Sequence, residues 1–164
     1  MVGAELAKHL RPGDAVAILE GIPTAFNAQE RRTGFEEAMR AAQMRVVAEQ
    51  SGQWEQAKAN TVVSAMLRQH PDLKAILASN DNMALGAVAA VRQGGRTGQV
   101  AVVGFDNISA IREMVRDGRV LATADQHAAQ LAVFGIEYAL QILRGEAKPQ
   151  DRRTPVDLVT AEKL

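Results

Sequence analysis

The chain has 164 residues, which is enough for one domain around a single core and leaves little room for a second. Lysine plus arginine equals aspartate plus glutamate at 19 each, so no strong field favours nucleic acid or another polyanionic partner. The absence of cysteine excludes disulfides, thiolate zinc sites and thiol nucleophiles. No stretch approaches the roughly 20 apolar residues that a membrane-spanning helix needs.

Hydrophobic runs and turn residues predict helices and strands that alternate along the chain. In order they are a helix over Val2–Leu10, a strand over Ala15–Leu19, a helix from about Ala28 to Gln43, a strand over Arg45–Glu49, a helix from the loop at Trp54 to His70, a strand over Ala75–Ala78, a helix from Asn80 to Gly94, a strand over Val100–Val103, a helix over Ile108–Val115, a strand over Val120–Ala124 and a helix from about Ala128 to Arg144.

This alternation predicts an α/β fold, because each parallel strand connection needs a crossover that a helix supplies. The expected architecture is a three-layer, doubly wound parallel sheet with the flavodoxin-like order 2-1-3-4-5, in one lobe over residues 1–164. A Rossmann-type order stays open. Ligands of such sheets bind at the carboxyl ends of the strands.

Polar residues follow two strands that are predicted to be neighbours. Asn80 comes just after Ala75–Ala78, and Asp106 comes just after Val100–Val103. Parallel strands would bring both side chains to one edge of the sheet. Each residue also has a simpler interpretation as a helix N-cap, Asn80 for the helix that follows it and Asp106 for the one near Ile108.

Motifs of catalysis are absent. The three histidines are scattered, so no metal site is predicted. Gly94–Gly98 follows a helix and precedes a strand, which is the wrong order for a phosphate loop, so no cofactor is predicted. No serine elbow is present. The sequence therefore predicts a protein that is not an enzyme, with a flavin-binding or metal-dependent enzyme on the same fold as the alternative.

Several motifs together resemble the carboxyl-terminal lobe of type I periplasmic sugar-binding proteins, most closely the ribose-binding group. They are Glu30-Arg31 with Gly34-Phe35, Asn80-Asp81-Asn82-Met83-Ala84-Leu85-Gly86-Ala87, Val102-Val103-Gly104-Phe105-Asp106, Asp117-Gly118-Arg119, Ala122-Thr123 with Gln126, and Pro155-Val156-Asp157-Leu158-Val159. The resemblance implies a periplasmic binding protein-like I lobe that captures a monosaccharide for an ABC transporter. The alternative is the effector-sensing lobe of a LacI-type transcription repressor, which shares the fold.

The resemblance also implies a set of ligand-binding residues. They are Arg31, Trp54, Asn80, Asp106 and Gln126, with Phe105 as a packing neighbour. Charged and amide groups would bind sugar hydroxyls, and the indole would face the C–H side of the ring. Taken singly, Arg31 could be a solvated helix residue and Trp54 a cover for the sheet edge.

Family members have two lobes, and the resemblance covers only one of them. The implied partners are a sugar, the membrane permease of an ABC transporter in the full-length form, and either the missing amino-terminal lobe or a second copy of the chain. Residues 127–153 would pack on that missing lobe. Because the helix within them is apolar on two faces, it is expected to fold back on the sheet edge or to pair with another copy. The family implies a periplasmic location, and Met1–Glu5 do not resemble a signal peptide.

Overall fold

A computed structural model describes residues 1–164 as six strands that alternate with six α-helices. The strands are β1 Ala15–Glu20, β2 Arg45–Ser51, β3 Leu73–Ala78, β4 Ala101–Val103, β5 Ala122–Asp125 and β6 Asp157–Thr160. The helices are α1 Val2–Ala7, α2 Phe26–Ala41, α3 Gln56–Gln69, α4 Asp81–Gln93, α5 Ser109–Arg116 and α6 Ala128–Leu143, and a short 3₁₀ turn spans Ala161–Lys163.

The strand order is β2-β1-β3-β4-β5-β6, and the first five strands are parallel. The predicted flavodoxin-like order 2-1-3-4-5 is therefore confirmed. The sixth strand is antiparallel to β5 and was missed by the sequence analysis, which expected a purely parallel sheet. Its four residues contain a single buried side chain, Val159, so the sequence holds too short an apolar pattern to predict a strand.

The central strands are buried on both faces. Every residue of Ala15–Leu19 is at most 1% exposed, and Ala75–Ala78 are fully buried. One face of the sheet packs on α3, α4 and α5, and the other packs on α1 and α2. This two-sided cover explains the unbroken apolar runs of β1 and β3, which are typical of parallel strands between two helical layers.

The ends of several elements differ from their predicted bounds. The first helix ends at Ala7. From there to Leu10, the backbone N–H groups bond to carbonyls three residues earlier, which forms a turn in place of α-helix. The fifth strand begins two residues later than predicted, at Ala122. Val120 is nevertheless buried, since it packs into the core before the strand starts.

Helix α6 stands apart from the rest of the lobe. None of its residues is buried, and several large apolar side chains on it are exposed. These side chains are Leu131, Val133, Phe134, Ile136, Leu140 and Leu143. Of the two expected arrangements, folding back on the sheet edge is wrong, and pairing with another copy stays a prediction. Only Tyr138 is tied down, by donating its hydroxyl to the Lys148 carbonyl at 2.6 Å and lying under the Arg152 guanidinium.

None of the helices is both long enough and apolar enough to span a bilayer.

Candidate functional site

Five of the six predicted site residues form one chain of contacts at the carboxyl edge of the sheet. Arg31 comes from α2, and Trp54 comes from the loop between β2 and α3. Phe105 and Asp106 follow β4, and Gln126 follows β5. These residues are half-buried, so they face the space above the strand ends and remain open to solvent.

Arg31 occupies the centre of this cluster, and only 13% of its side chain is exposed. Its Nη1 donates to the carbonyl of Ser79 at 2.8 Å, and its Nη2 lies 3.8 Å from Asp106 Oδ1. Its guanidinium carbon is 3.8 Å from the centre of the Phe105 ring and 5.5 Å from that of Trp54. Two aromatic rings, a carbonyl and a carboxylate thus fix the direction of one cation. The interpretation of Arg31 as a solvated helix residue does not describe this environment.

Asp106 supplies the acceptor of the cluster. Its Oδ1 accepts a hydrogen bond from Gln126 Nε2 at 2.7 Å, in addition to the nearby charge of Arg31. Burial raises the pKa of Asp106, while Arg31 and Gln126 act in the opposite direction. Burial also lowers the pKa of Arg31, which the charges of Asp106 and Asp81 oppose. The alternative interpretation of Asp106 as a helix cap is not found, because no side chain caps α5.

Asn80 lies beside the cluster and also caps a helix. Its Oδ1 accepts from the backbone N–H of Met83 at 2.9 Å, as an N-cap residue does. The preceding residue, Ser79, is the one whose carbonyl binds Arg31. Capping uses only the oxygen of the Asn80 amide, so its Nδ2 group has no partner in the chain.

Trp54 is placed by an unusual loop. Both Gln53 and Trp54 have positive φ angles, 54° and 65°. The indole lies so close to Gly21 that a Cβ there would come within 2.1 Å of it. Ser51 supports the loop, because its hydroxyl donates to the Gly21 carbonyl and accepts from the N–H of Gln53. The ring thus covers the end of β1, as the simpler interpretation holds, and also faces Arg31.

The sequence analysis did not select Asp81 and Thr123, which are both fully buried next to the cluster. Burial raises the pKa of Asp81 to about 6, and the neighbouring Asp106 carboxylate adds to the effect. Asp81 falls within the quoted motif Asn80–Ala87, but nothing in the pattern distinguishes a buried carboxylate from one that faces solvent at a helix start. The burial of the Asp81 side chain could therefore not be predicted from the sequence.

Two cavities lie elsewhere on or beside this surface. A cavity of about 720 Å³ lies near the amino-terminal ends of the strands, lined among others by Lys74, Val100 and Met114, and it contains none of the six predicted residues. A smaller one of about 230 Å³ lies beside Arg31 and Phe105 on the side of α1. No group of three or more histidine, aspartate or glutamate side chains could hold a metal ion.

Comparison with known families identifies the fold. A model described as "Periplasmic binding protein domain" matches residues 1–147, which is most of the chain. The chain belongs to the periplasmic binding protein family. This agrees with the resemblance to type I sugar-binding proteins that the motifs indicate.

Members of the periplasmic binding protein family with known names extend the comparison. The D-ribose/D-allose-binding protein of Pseudomonas aeruginosa is 59% identical over 98% of this chain, which corresponds to 52% of that protein. The chain thus spans about half the length of the curated relatives it matches. None of these relatives is named as an enzyme, and their names give no support to a repressor.

Solved structures of the periplasmic binding protein family superpose closely on the lobe. An ABC transporter solute-binding protein from Burkholderia multivorans, crystallised with an unknown ligand drawn as alpha-D-erythrofuranose, is 57% identical with a TM-score of 0.92 over 97% of this chain and 56% of its own. A periplasmic solute-binding protein from Actinobacillus succinogenes with bound D-allose is 34% identical with a TM-score of 0.94, covering 99% of this chain and 57% of its own.

Proposed function

We propose that this chain is a monosaccharide-binding lobe of an ABC transporter solute-binding protein, and that Arg31, Asp106 and Gln126 bind the sugar. The observation that supports this most is their mutual contact at the strand ends, in a family whose relatives are named for ribose and allose. The ligand is a ribose-like or allose-like monosaccharide held between two lobes.

The chemistry of the cluster suits a polyhydroxylated ligand. Arg31 can donate two parallel hydrogen bonds to adjacent hydroxyls, and Asp106 can accept from two more. Asn80 offers the Nδ2 amide that capping leaves free, and Gln126 offers both a donor and an acceptor. Since Phe105 is stacked on Arg31, it acts through that cation, whereas Trp54 supplies an apolar face for the sugar ring.

One lobe provides only part of such a site. A neutral hydrogen bond contributes about 1 kcal/mol net, so tight sugar binding needs many such bonds and exclusion of water. The half-buried cluster supplies the donors and acceptors of one side alone. In the full-length form, a second lobe closes over the sugar about a hinge, and the closed protein delivers it to a membrane permease from a periplasmic location.

The exposed apolar face of α6 fits this arrangement. We expect residues 127–153 to pack on the amino-terminal lobe that the family resemblance implies. In its absence, a second copy of this chain would cover the same face, because a contiguous apolar surface in water favours association.

The proposed binding is tested by titrating the isotopically labelled chain with D-ribose and D-allose while recording amide resonances and Trp54 fluorescence. We expect shifts confined to the neighbourhood of Arg31, Asp106 and Gln126, with a dissociation constant of about 1 mM or weaker. Asp106→Asn should weaken binding about 10-fold, since it replaces a charged acceptor.

A matched Asp117→Asn variant serves as the control, because Asp117 lies in an exposed turn far from these strand ends. The absence of localised shifts with either sugar would contradict the proposed function. Submicromolar affinity for the chain alone would contradict only the argument that the site is half complete.

A further inference from the structure

Asp81 is a fully buried carboxyl group that the proposed sugar contacts do not use. It is the first residue of α4, where the helix dipole stabilises a negative charge. That benefit is available to a solvated aspartate as well, so it does not explain the burial. Desolvation makes the charged form expensive, as the raised pKa shows. The position therefore calls for a specific partner.

That partner is the loop that bears the proposed sugar acceptor. Asp81 Oδ2 accepts from the backbone N–H of Ile108 at 3.0 Å, and its own N–H donates to the carbonyl of Phe105 at 2.8 Å. Its Oδ1 accepts from the hydroxyl of Thr123 at 2.8 Å. Thr123 Oγ1 lies in turn 3.4 Å from the N–H of Asn107. The carboxylate and the hydroxyl thus fasten the loop on the carboxyl-terminal side of Asp106, and the backbone N–H of Asp81 fastens it on the other side.

The loop needs fastening because its backbone is strained. Asp106 has a φ of 120° and Asn107 a φ of 57°, a region that side-chain-bearing residues rarely adopt. The chain lies tightly against the carboxylate here, since a Cβ at Gly104 would come within 2.1 Å of Asp81 Oδ1. Strain of this kind persists only where surrounding contacts hold it.

We propose that Asp81, together with Thr123, is a positioning pair that holds Phe105–Ile108 in the strained conformation that directs Asp106 toward Arg31, Gln126 and the sugar. The inference rests on the proposed function for its ligand, but the contacts it invokes are within the lobe. Of the charged groups around Asp81, Asp106 lies on the fastened loop and Arg31 on α2.

The test compares Thr123→Val with Thr123→Ser. Valine has nearly the shape of threonine but no hydroxyl, whereas serine retains the hydroxyl. Thr61→Val is the matched control, because Thr61 is exposed on α3 and distant from the loop. The readouts are amide hydrogen exchange at Asn107 and Ile108 relative to Ile76 of β3, the side-chain amide resonance of Gln126, and the affinity for D-ribose.

We expect Thr123→Val to lower protection at Ile108 about 10-fold more than at Ile76, to shift the Gln126 resonance, and to weaken D-ribose binding about 10-fold. Thr123→Ser should stay within about 2-fold of the parent in each readout, because its hydroxyl can still bridge Asp81 and Asn107. Asp81→Asn, read in the same way, is a second variant in case Thr123→Val does not fold.

Equal loss of protection at Ile76 and Ile108 would overturn the proposal, because it would mean that Asp81 and Thr123 stabilise the whole core and do not act on the loop in particular. An unchanged Gln126 resonance in both Thr123→Val and Asp81→Asn would also overturn the proposal. If the parent chain gives no shift with D-ribose or with D-allose, the proposed function fails, and the exchange and Gln126 readouts still decide whether the pair positions the loop.

Discussion

Arg31 shows how a residue's neighbours change its chemistry. On sequence alone it lies in the first turns of a helix next to Glu30, where a solvated charge is expected. In the fold it lies between two aromatic rings and donates to a carbonyl, so its direction is fixed before any ligand arrives. Such preorganisation lowers the entropy lost on binding.

At the same scale, Asp81 predicts an unusual dependence of stability on pH. Its pKa rises from 3.8 to about 6 on folding, so the folded state disfavours the charged form. The group therefore has no destabilising effect below about pH 4, and the free energy of unfolding falls as the pH rises from about 4 to about 6 and then levels off. The full effect at neutral pH is about 3 kcal/mol. Relative to Asp81→Asn, the parent should lose stability between about pH 4 and 7, as measured by urea unfolding.

Asp117→Asn provides the control for this experiment. Arg119 lowers the pKa of Asp117, so its stabilising effect is present at neutral pH and disappears on acidification. The two variants should deviate from the parent in opposite directions as the pH changes. A parent-to-Asp81→Asn difference that is independent of pH would contradict the assignment.

Among the elements, α3 and α4 form the helix pair with the most extensive contact, and a glycine allows their approach. A Cβ at Gly86 would lie 2.2 Å from the carbonyl of Gln56 and 2.9 Å from Ala59 Cβ. Because backbone cannot yield as a flexible side chain does, Gly86→Ala should lower the free energy of unfolding by about 1–3 kcal/mol. Thermal or urea unfolding measures this loss.

Gly34 in α2 is the matched control, since a Cβ there would meet nothing within 4 Å. Alanine is the better helix former, so Gly34→Ala should raise stability by up to about 1 kcal/mol. Equal effects of the two substitutions would mean that the α3–α4 contact is looser than described.

The start of α4 gives a third prediction. Removing the cap with Asn80→Ala should lower the free energy of unfolding by about 1 kcal/mol, because the N–H of Met83 then loses its acceptor. Asn82→Ala, two residues further along the chain at an exposed position, should change it by less than about 0.5 kcal/mol. Indistinguishable urea midpoints for the two variants would argue against a capping contribution from Asn80.

The elements also show what a sequence can and cannot reveal. Apolar runs and the turn residues between them predicted five strands in the observed order, since buried parallel strands such as Ala15–Leu19 are unbroken apolar runs. Strand β6 was missed because its pairing with β5 is a long-range contact that its four residues do not encode. For the same reason Asp81 and Thr123, 42 positions apart, gave no local signal of their hydrogen bond. Strand order alone predicted that Asn80 and Asp106 share one edge of the sheet, whereas the full set of six site residues came from the family resemblance. Their ligand contacts remain a prediction.

At the scale of the whole molecule, the exposed helix α6 predicts association. Ile136 and Leu143 are 65% and 82% exposed, and no part of the lobe covers them. Size-exclusion chromatography with light scattering should therefore show an apparent mass that rises with concentration. Ile136→Glu should shift the equilibrium toward the monomer, because pairing would bury the new charge.

Gln141→Glu adds the same charge at an exposed polar position of the same helix and serves as the control. Its apparent mass should follow that of the parent. A strict monomer at every concentration would refute self-pairing and leave a different lobe as the occupant of this face.

The antiparallel pairing of β6 with β5 brings the two ends of the segment that contains α6 close together. Asp125 and Asp157 are register partners, so the excursion that contains α6 leaves the sheet and returns to it at adjacent points. Closing a loop between such points depends only weakly on its length. A short connection in place of residues 128–153 would remove the helix and keep both Gln126 and the five parallel strands, so the rim of proposed sugar contacts and the apolar helix are separable parts of the lobe.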